Sequence, residues 1–206
     1  MSEYRRSVIP LMLLGDSQVG KTSLSLRLTK NTYDDSLLTT LGKESYTYQV
    51  NLHGHNVKMK IWDTAGQERF KSMSLNVIKA VDGLILVYSI TNKNSFDNLE
   101  YWLKQLNETT DLSKKPVIIV GNKSDLTEQR EVTYEQGKKY SEEHGYNFYE
   151  TSAMIGTNVK EAFNDIFEQL YNLFEEEIIG RENIIKEKIS LKENQKGKKK
   201  KNCCVK

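Results

Sequence analysis

Residues Gly15–Thr22 read GDSQVGKT, and this glycine-bounded loop directly follows the apolar run Leu11–Leu14. A buried strand, then such a loop, then a helix opening at Lys21–Leu28 is the context in which the pattern cradles phosphate. Successive backbone N–H groups turn inward on phosphate oxygens. The free N–H groups and partial positive charge of the helix N-terminus add to them. Asp16, Ser17, Gln18, Val19, Gly20, Lys21, Thr22 and Ser23 are the phosphate-side residues expected from this segment. Lys21 can neutralise the terminal phosphates, and the Thr22 hydroxyl suits Mg²⁺, which prefers hard oxygen ligands.

Around this loop, apolar runs alternate with helical patterns. Leu84–Tyr88 and Val117–Val120 are short, nearly continuous and rich in Val, Ile and Leu. Strands covered on both faces of a parallel sheet have that composition. Tyr46–Leu52 and Asn56–Trp62 flank His53-Gly54-His55 and read as a hairpin. Ser95–Leu106 reads as a helix. Val159, Ala162, Phe163, Ile166, Phe167, Leu170, Leu173 and Phe174 form one apolar stripe on a long final helix. Strand, helix, hairpin and then strand–helix repeats predict an α/β fold with a doubly wound, mostly parallel sheet and helices on both faces. Ligands in such sheets bind beyond the carboxyl ends of the strands, where the phosphate loop already lies.

Composition narrows the function classes. The chain has 206 residues, 37% of them apolar and 28% charged, which suits one globular domain with an extension. No run of 18 apolar residues is long enough to span a bilayer, and the start MSEYRRSVIP lacks the apolar stretch of a secretory signal. The two cysteines, Cys203 and Cys204, are adjacent and nearly terminal, so they cannot staple a core. Residues 181–206 carry ten Lys/Arg against three acids, a charge of +7, which leaves −5 on residues 1–180. An acidic body argues against nucleic acid as its ligand. The expected organisation is a nucleotide-binding domain over 1–175 and a basic tail over 176–206, helical at its start.

Three further motifs follow predicted strands. Asp63-Thr64-Ala65-Gly66-Gln67 closes the third strand. Asp63 can reach Mg²⁺ through water, and the Gly66 N–H can approach a terminal phosphate closely. Gln67 has a donor and an acceptor with which to orient a water. Asn122-Lys123-Ser124-Asp125 follows Val117–Gly121. A carboxylate accepting from two adjacent N–H donors of one base edge selects guanine, because adenine would leave it unsatisfied. Glu150-Thr151-Ser152-Ala153 follows Phe148–Tyr149 and can add backbone donors to the guanine oxygen.

GDSQVGKT, Thr40, WDTAGQERF, GNKSD and ETSA, in this order and spacing, resemble the Ras superfamily of small GTPases over about residues 8–175. WDTAGQERF and the terminal double cysteine most resemble the Rab family. The resemblance implies a six-stranded sheet and a switch that hydrolyses GTP to GDP and phosphate. Lys21 and Gln67 would be its catalytic residues, and Thr22, Thr40 and Asp63 its Mg²⁺ side. It implies that Tyr33 packs beside guanine and that Asn122, Lys123, Asp125, Ser152, Ala153 and Met154 line the base pocket. It further implies a monomer working with an exchange factor, a GTPase-activating protein, effectors, a GDP-dissociation inhibitor and an escort with its prenyl transferase. The departures from the family pattern are Gln18, Leu37, Ser45, Val77 and Met154, three of which touch the nucleotide side and two the effector-facing surface.

The tail fits the same picture. Cys203-Cys204-Val205-Lys206 resembles a double geranylgeranylation site, and Lys206 is a poor final residue for a C-a-a-X signal. Two lipid chains anchor stably where one binds marginally. Lys198–Lys201 adds attraction to anionic lipid. The expected location is the cytoplasmic face of an intracellular membrane, with a cytosolic pool and a role in vesicle trafficking. Two other readings remain open on sequence: a GTP-binding recruitment scaffold with little hydrolysis, and a nucleotide kinase or ATPase, against which Asn122 and Asp125 argue.

Overall fold

The computed structural model describes residues 8–34, 43–64 and 74–201. Strands β1 (Ile9–Leu14), β2 (Lys43–Leu52), β3 (His55–Thr64), β4 (Gly83–Ser89), β5 (Val117–Asn122) and β6 (Asn147–Glu150) form one sheet in the order β2-β3-β1-β4-β5-β6. Only β2 runs antiparallel to its neighbour, paired with β3 from Lys43↔Thr64 to Leu52↔His55. The turn between them has positive φ at both His53 (51°) and Gly54 (86°), the backbone sign that a two-residue hairpin with right-handed strand twist requires. The remaining pairings are parallel, as the continuous apolar runs predict.

Alternation along each central strand builds two cores. Leu11, Leu13, Ile85, Val87, Ile118 and Val120 face one side, where they meet Leu24 and Leu28 of α1 (Lys21–Lys30) and Phe163, Ile166 and Phe167 of the final helix. Met12, Leu14, Leu84, Leu86 and Ile119 face the other side. There they pack against Ile78 of α2 (Ser74–Ala80) and Leu99, Leu103 and Leu106 of α4 (Leu99–Thr109). Both faces are therefore apolar, and burial of side chains of this size stabilises by roughly 1.5–3 kcal/mol each. The outer hairpin is different. Tyr46, Tyr48 and Val50 pack inward while Ser45, Thr47 and Gln49 are exposed, the period-2 pattern of a sheet wet on one face.

Three local expectations are revised. The single helix expected over Ser95–Leu106 is two: α3 (Lys93–Asp97), capped by Asn92 accepting from the Ser95 N–H, and α4, joined at Asn98 (φ −71°, ψ −9°). A further helix, α5 (Tyr134–Glu143), was not foreseen, because its sequence YEQGKKYSEE has only two aromatic side chains and a glycine. Its readable signal is the capping box, in which Thr133 and Gln136 satisfy each other's backbone N–H groups. The final helix α6 spans Val159–Lys201, well beyond the start of the tail, with a non-helical residue at Phe174 (φ −120°, ψ 16°).

Candidate functional site

All five parallel strands point their carboxyl ends the same way, so the segments that follow them meet along one edge. Parallel pairing of β1 with β3 sets Leu13 opposite Asp63, and that of β4 with β5 sets Ser89 opposite Asn122. Gly121 is opposite Glu150. Four motifs widely separated in sequence are thereby brought to one cleft.

The phosphate loop has left-handed backbone at Gln18 (φ 62°) and Gly20 (φ 97°), with Gly15 at φ 137°. A side chain at Gly15 would strike the Val87 carbonyl, and one at Gly20 would strike the Asn122 amide. Both positions therefore need glycine for space as well as for angle. Gln18 holds a left-handed conformation without that freedom, at about 1–2 kcal/mol. Val19 sits in the core at 1% exposure, so only its backbone is available to a ligand.

Lys21 opens α1 with 5% exposure, and its Nζ donates to the carbonyls of Gly15 (2.8 Å) and Asp16 (2.6 Å). Burial pushes its ammonium pKa down to about 8, opposed by the charges of Asp63 and Asp16. Asp63 is fully buried at the end of β3. Thr22 and Ser23 follow Lys21 in the first turn of α1. This end of the cleft thus offers a buried cation, a buried carboxylate, a hydroxyl and helix-terminal N–H groups, the set that a magnesium polyphosphate requires.

The other end is held by Asn122, buried at 1% exposure. Its Nδ2 donates to the Val19 carbonyl (2.9 Å), and its Oδ1 accepts from Thr151 Oγ1 (3.2 Å) and the Ala153 N–H (3.2 Å). The sequence assigns Asn122 to an expected base pocket; in the structure its side chain ties residues 151–153 to the phosphate loop. Lys123 is left-handed (φ 69°), and burial lowers its ammonium pKa while Asp125 opposes the change. Asp125 accepts a short hydrogen bond from Ser152 Oγ, which in turn accepts from the Ile155 N–H (3.2 Å). Ala153 is buried, whereas Met154 is 53% exposed and Tyr33 is 37% exposed at the rim. Thr40, Gly66, Gln67, Cys203 and Cys204, with Leu37, lie outside the described residues.

Two arginines that no sequence motif marks hold the 150–154 segment. Arg27 of α1 donates through Nε to the Ala153 carbonyl (2.8 Å) and through Nη2 to the Met154 carbonyl (2.6 Å). Arg130 makes a bidentate pair with Glu150 at 2.6 and 2.9 Å, fixing the start of the 150–153 segment. Arg27 lies 126 residues from Ala153, and no local pattern marks that distance.

A parallel α/β sheet with a G-x-x-x-x-G-K-T loop after its first strand and polar loops beyond its fifth and sixth defines a nucleotide-binding domain of the P-loop type. Residues 10–172 match the Ras family, and the chain belongs to that family. It is similar to Ras-related protein Rab-11B of Dictyostelium discoideum, 41% identical over 161 residues that cover 78% of this chain and 73% of that protein. It is 40% identical to Ras-related protein Rab-13 of Canis lupus familiaris over 166 residues, 81% of each chain. It is 38% identical to Ras-related protein RABA1b of Arabidopsis thaliana over 200 residues, 94% of this chain and 92% of the relative. The chain is a Rab-like small GTPase of vesicle trafficking. Membership of the Ras family sets aside the kinase or ATPase reading.

Proposed function

We propose that GTP and GDP bind with their phosphates on residues 16–23 and their guanine between Asn122-Lys123-Ser124-Asp125 and Ser152-Ala153-Met154, with Tyr33 beside the base. The observation that carries this reading is the Asn122 bridge, one amide bonded both to the phosphate loop at Val19 and to the base loop at Ala153. A ligand with a base at one end and phosphates at the other would lie along the two loops that this amide joins.

The residues fit a magnesium ion. Thr22 and Asp63 offer a hydroxyl and a carboxylate, hard oxygens of the kind Mg²⁺ takes, and Thr40 would join them. Mg²⁺, when bound, supplies positive charge at the β- and γ-phosphate oxygens. Lys21 adds its ammonium to the same region. Gln67 aligns water against the γ-phosphorus; the new P–O bond forms as the bond to the β,γ-bridging oxygen breaks, giving GDP and phosphate. Catalysis by positioning alone is slow, and an activating protein that adds charge can raise the rate by about 10³–10⁵. Loss of γ-phosphate removes what Thr40 and Gly66 hold, which switches the affinity for effectors.

Outside the pocket, Cys203 and Cys204 carry two prenyl chains, and the lysines of 198–201 favour an anionic, cytoplasmic membrane face. An exchange factor, a GDP-dissociation inhibitor and an escort with its prenyl transferase act on this cycle. No helix among the described residues is long and apolar enough to cross a membrane. The decisive experiment is Asp125→Asn studied by calorimetry with GDP and with xanthosine diphosphate. An amide presents a donor where the carboxylate presented an acceptor, so preference is expected to move from GDP to the xanthine nucleotide. Unchanged GDP preference rejects the assigned base contact.

A further inference from the structure

Asp16 lies inside the phosphate loop, where a carboxylate close to phosphates is electrostatically unfavourable. Its side chain is turned away from the loop. One carboxylate oxygen accepts from Asn98 Nδ2 at 2.7 Å, and the other accepts from the Trp102 indole Nε1–H at 3.0 Å. Asn98 and Trp102 are four residues apart, at the N-cap and in the first turn of α4, so they present two donors on one helix face. Meanwhile the Asp16 backbone carbonyl accepts from Lys21 Nζ at 2.6 Å. A single residue therefore joins the helix on one side to the phosphate-binding ammonium on the other.

From this arrangement we infer that Asn98 and Trp102 are positioning residues for nucleotide binding. They clamp Asp16, and through its carbonyl they aim Lys21 and hold the loop open around the phosphates. The clamp rests on the GTPase reading above, and it adds α4 to the nucleotide site. It also assigns Asp16 a role different from direct phosphate contact. Two residues beyond Asp16 stands the left-handed Gln18, so the loop contains a strained residue that an external tether would help to hold. Trp102 is partly buried against the α4-side core, and its ring packing is separable from its N–H. Phenylalanine keeps an aromatic ring in the same packing and removes the donor, at the cost of part of the ring contact.

The test is the rate of release of a fluorescent GDP analogue, with Mg²⁺ and excess GDP present, from the full chain and from Trp102→Phe, Asn98→Ala, Asp16→Ala and the Asp16→Ala/Trp102→Phe pair. Trp102→Phe is expected to release about tenfold faster, the factor matching the low end of a hydrogen bond to a charged group. The exposed Asn98→Ala is expected to speed release in the same direction, and it keeps the inference testable if the tryptophan variant does not fold. In the Asp16→Ala background, Trp102→Phe is expected to add nothing. Unchanged release in both single α4 variants overturns the clamp, as does a full tryptophan effect persisting without Asp16. A lowered urea midpoint with unchanged release also overturns it, since that is what a purely structural contact would give. Solvent exchange of the Trp102 indole N–H decides the clamp independently of nucleotide. It is expected to be slower in the parent than in Asp16→Ala, and equal exchange overturns the clamp. A parent chain that retains no guanine nucleotide rejects the guanine reading instead, leaving the indole measurement to judge the contact.

Discussion

The Asn122 amide nitrogen stands 2.9 Å from the Val19 carbonyl, so the end of β5 is bonded directly to the phosphate loop. Two segments 103 residues apart, the proposed base and phosphate sides of the site, are thereby joined by one hydrogen bond. Arg27 adds a second tie, from α1 to the Ala153 and Met154 carbonyls.

Replacing Asn122 by alanine removes a donor and an acceptor from a buried position. The Val19 carbonyl and the Ala153 N–H lose their partners, and each unsatisfied buried group costs about 1–3 kcal/mol. Asn122→Ala is expected to lose about 3 kcal/mol of stability in urea with saturating Mg·GDP, and to bind GDP at least tenfold more weakly by calorimetry. Stability within 1 kcal/mol of the parent would mean that water replaces the bridge.

Gln18 offers a test of backbone strain. Its φ of 62° suits glycine and strongly disfavours a β-branched residue. Gln18→Gly is expected to hold or raise the urea midpoint, because relief of about 1–2 kcal/mol of strain is partly offset by the freer unfolded chain. Gln18→Val is expected to lower stability by at least about 1 kcal/mol. The order glycine, glutamine, valine is the observable, and a valine variant as stable as the parent would refute the strain.

Hydrolysis is tested at Gln67, whose side chain offers the water both a donor and an acceptor. Single-turnover GTP cleavage by Gln67→Leu is expected to fall by about tenfold or more while GTP affinity stays near the parent value, since in the proposed mechanism the group acts on the attacking water and not on ground-state binding. Equal rates remove Gln67 from the mechanism.

The anchor is tested by deleting residues 203–206. Fractionation of cells expressing the shortened chain is expected to move it from the membrane pellet to the soluble fraction, because the remaining lysines attract lipid but do not insert into it. Continued sedimentation with membranes would assign the attachment to another part of the chain.

Local pattern was sufficient for the sheet and for the motifs. Leu11–Leu14, Leu84–Tyr88 and Val117–Val120 are apolar on every residue because each strand is covered on both faces, and that requirement is written into consecutive letters. GDSQVGKT is likewise legible, since the Val87 carbonyl behind Gly15 and the Asn122 amide behind Gly20 leave no room for a side chain at those fixed offsets. The charged helix α5 was not legible, because only two end-capping residues signal it and its burial is small.

What tertiary structure alone decided is which side chains meet across long distances. Arg27 reaching Ala153 and Met154, Trp102 reaching Asp16, and Arg130 pairing with Glu150 join elements that are remote in sequence or separated by a turn of the sheet. Periodicity records which face of an element is buried, and it carries no record of the neighbour. Those neighbours are set by strand order β2-β3-β1-β4-β5-β6 and by where each following loop emerges. The chain's letters determined a phosphate loop on a parallel sheet; the packing of that sheet decided that Asp16 faces α4 and that Asn122 serves as the bridge between the two halves of the cleft.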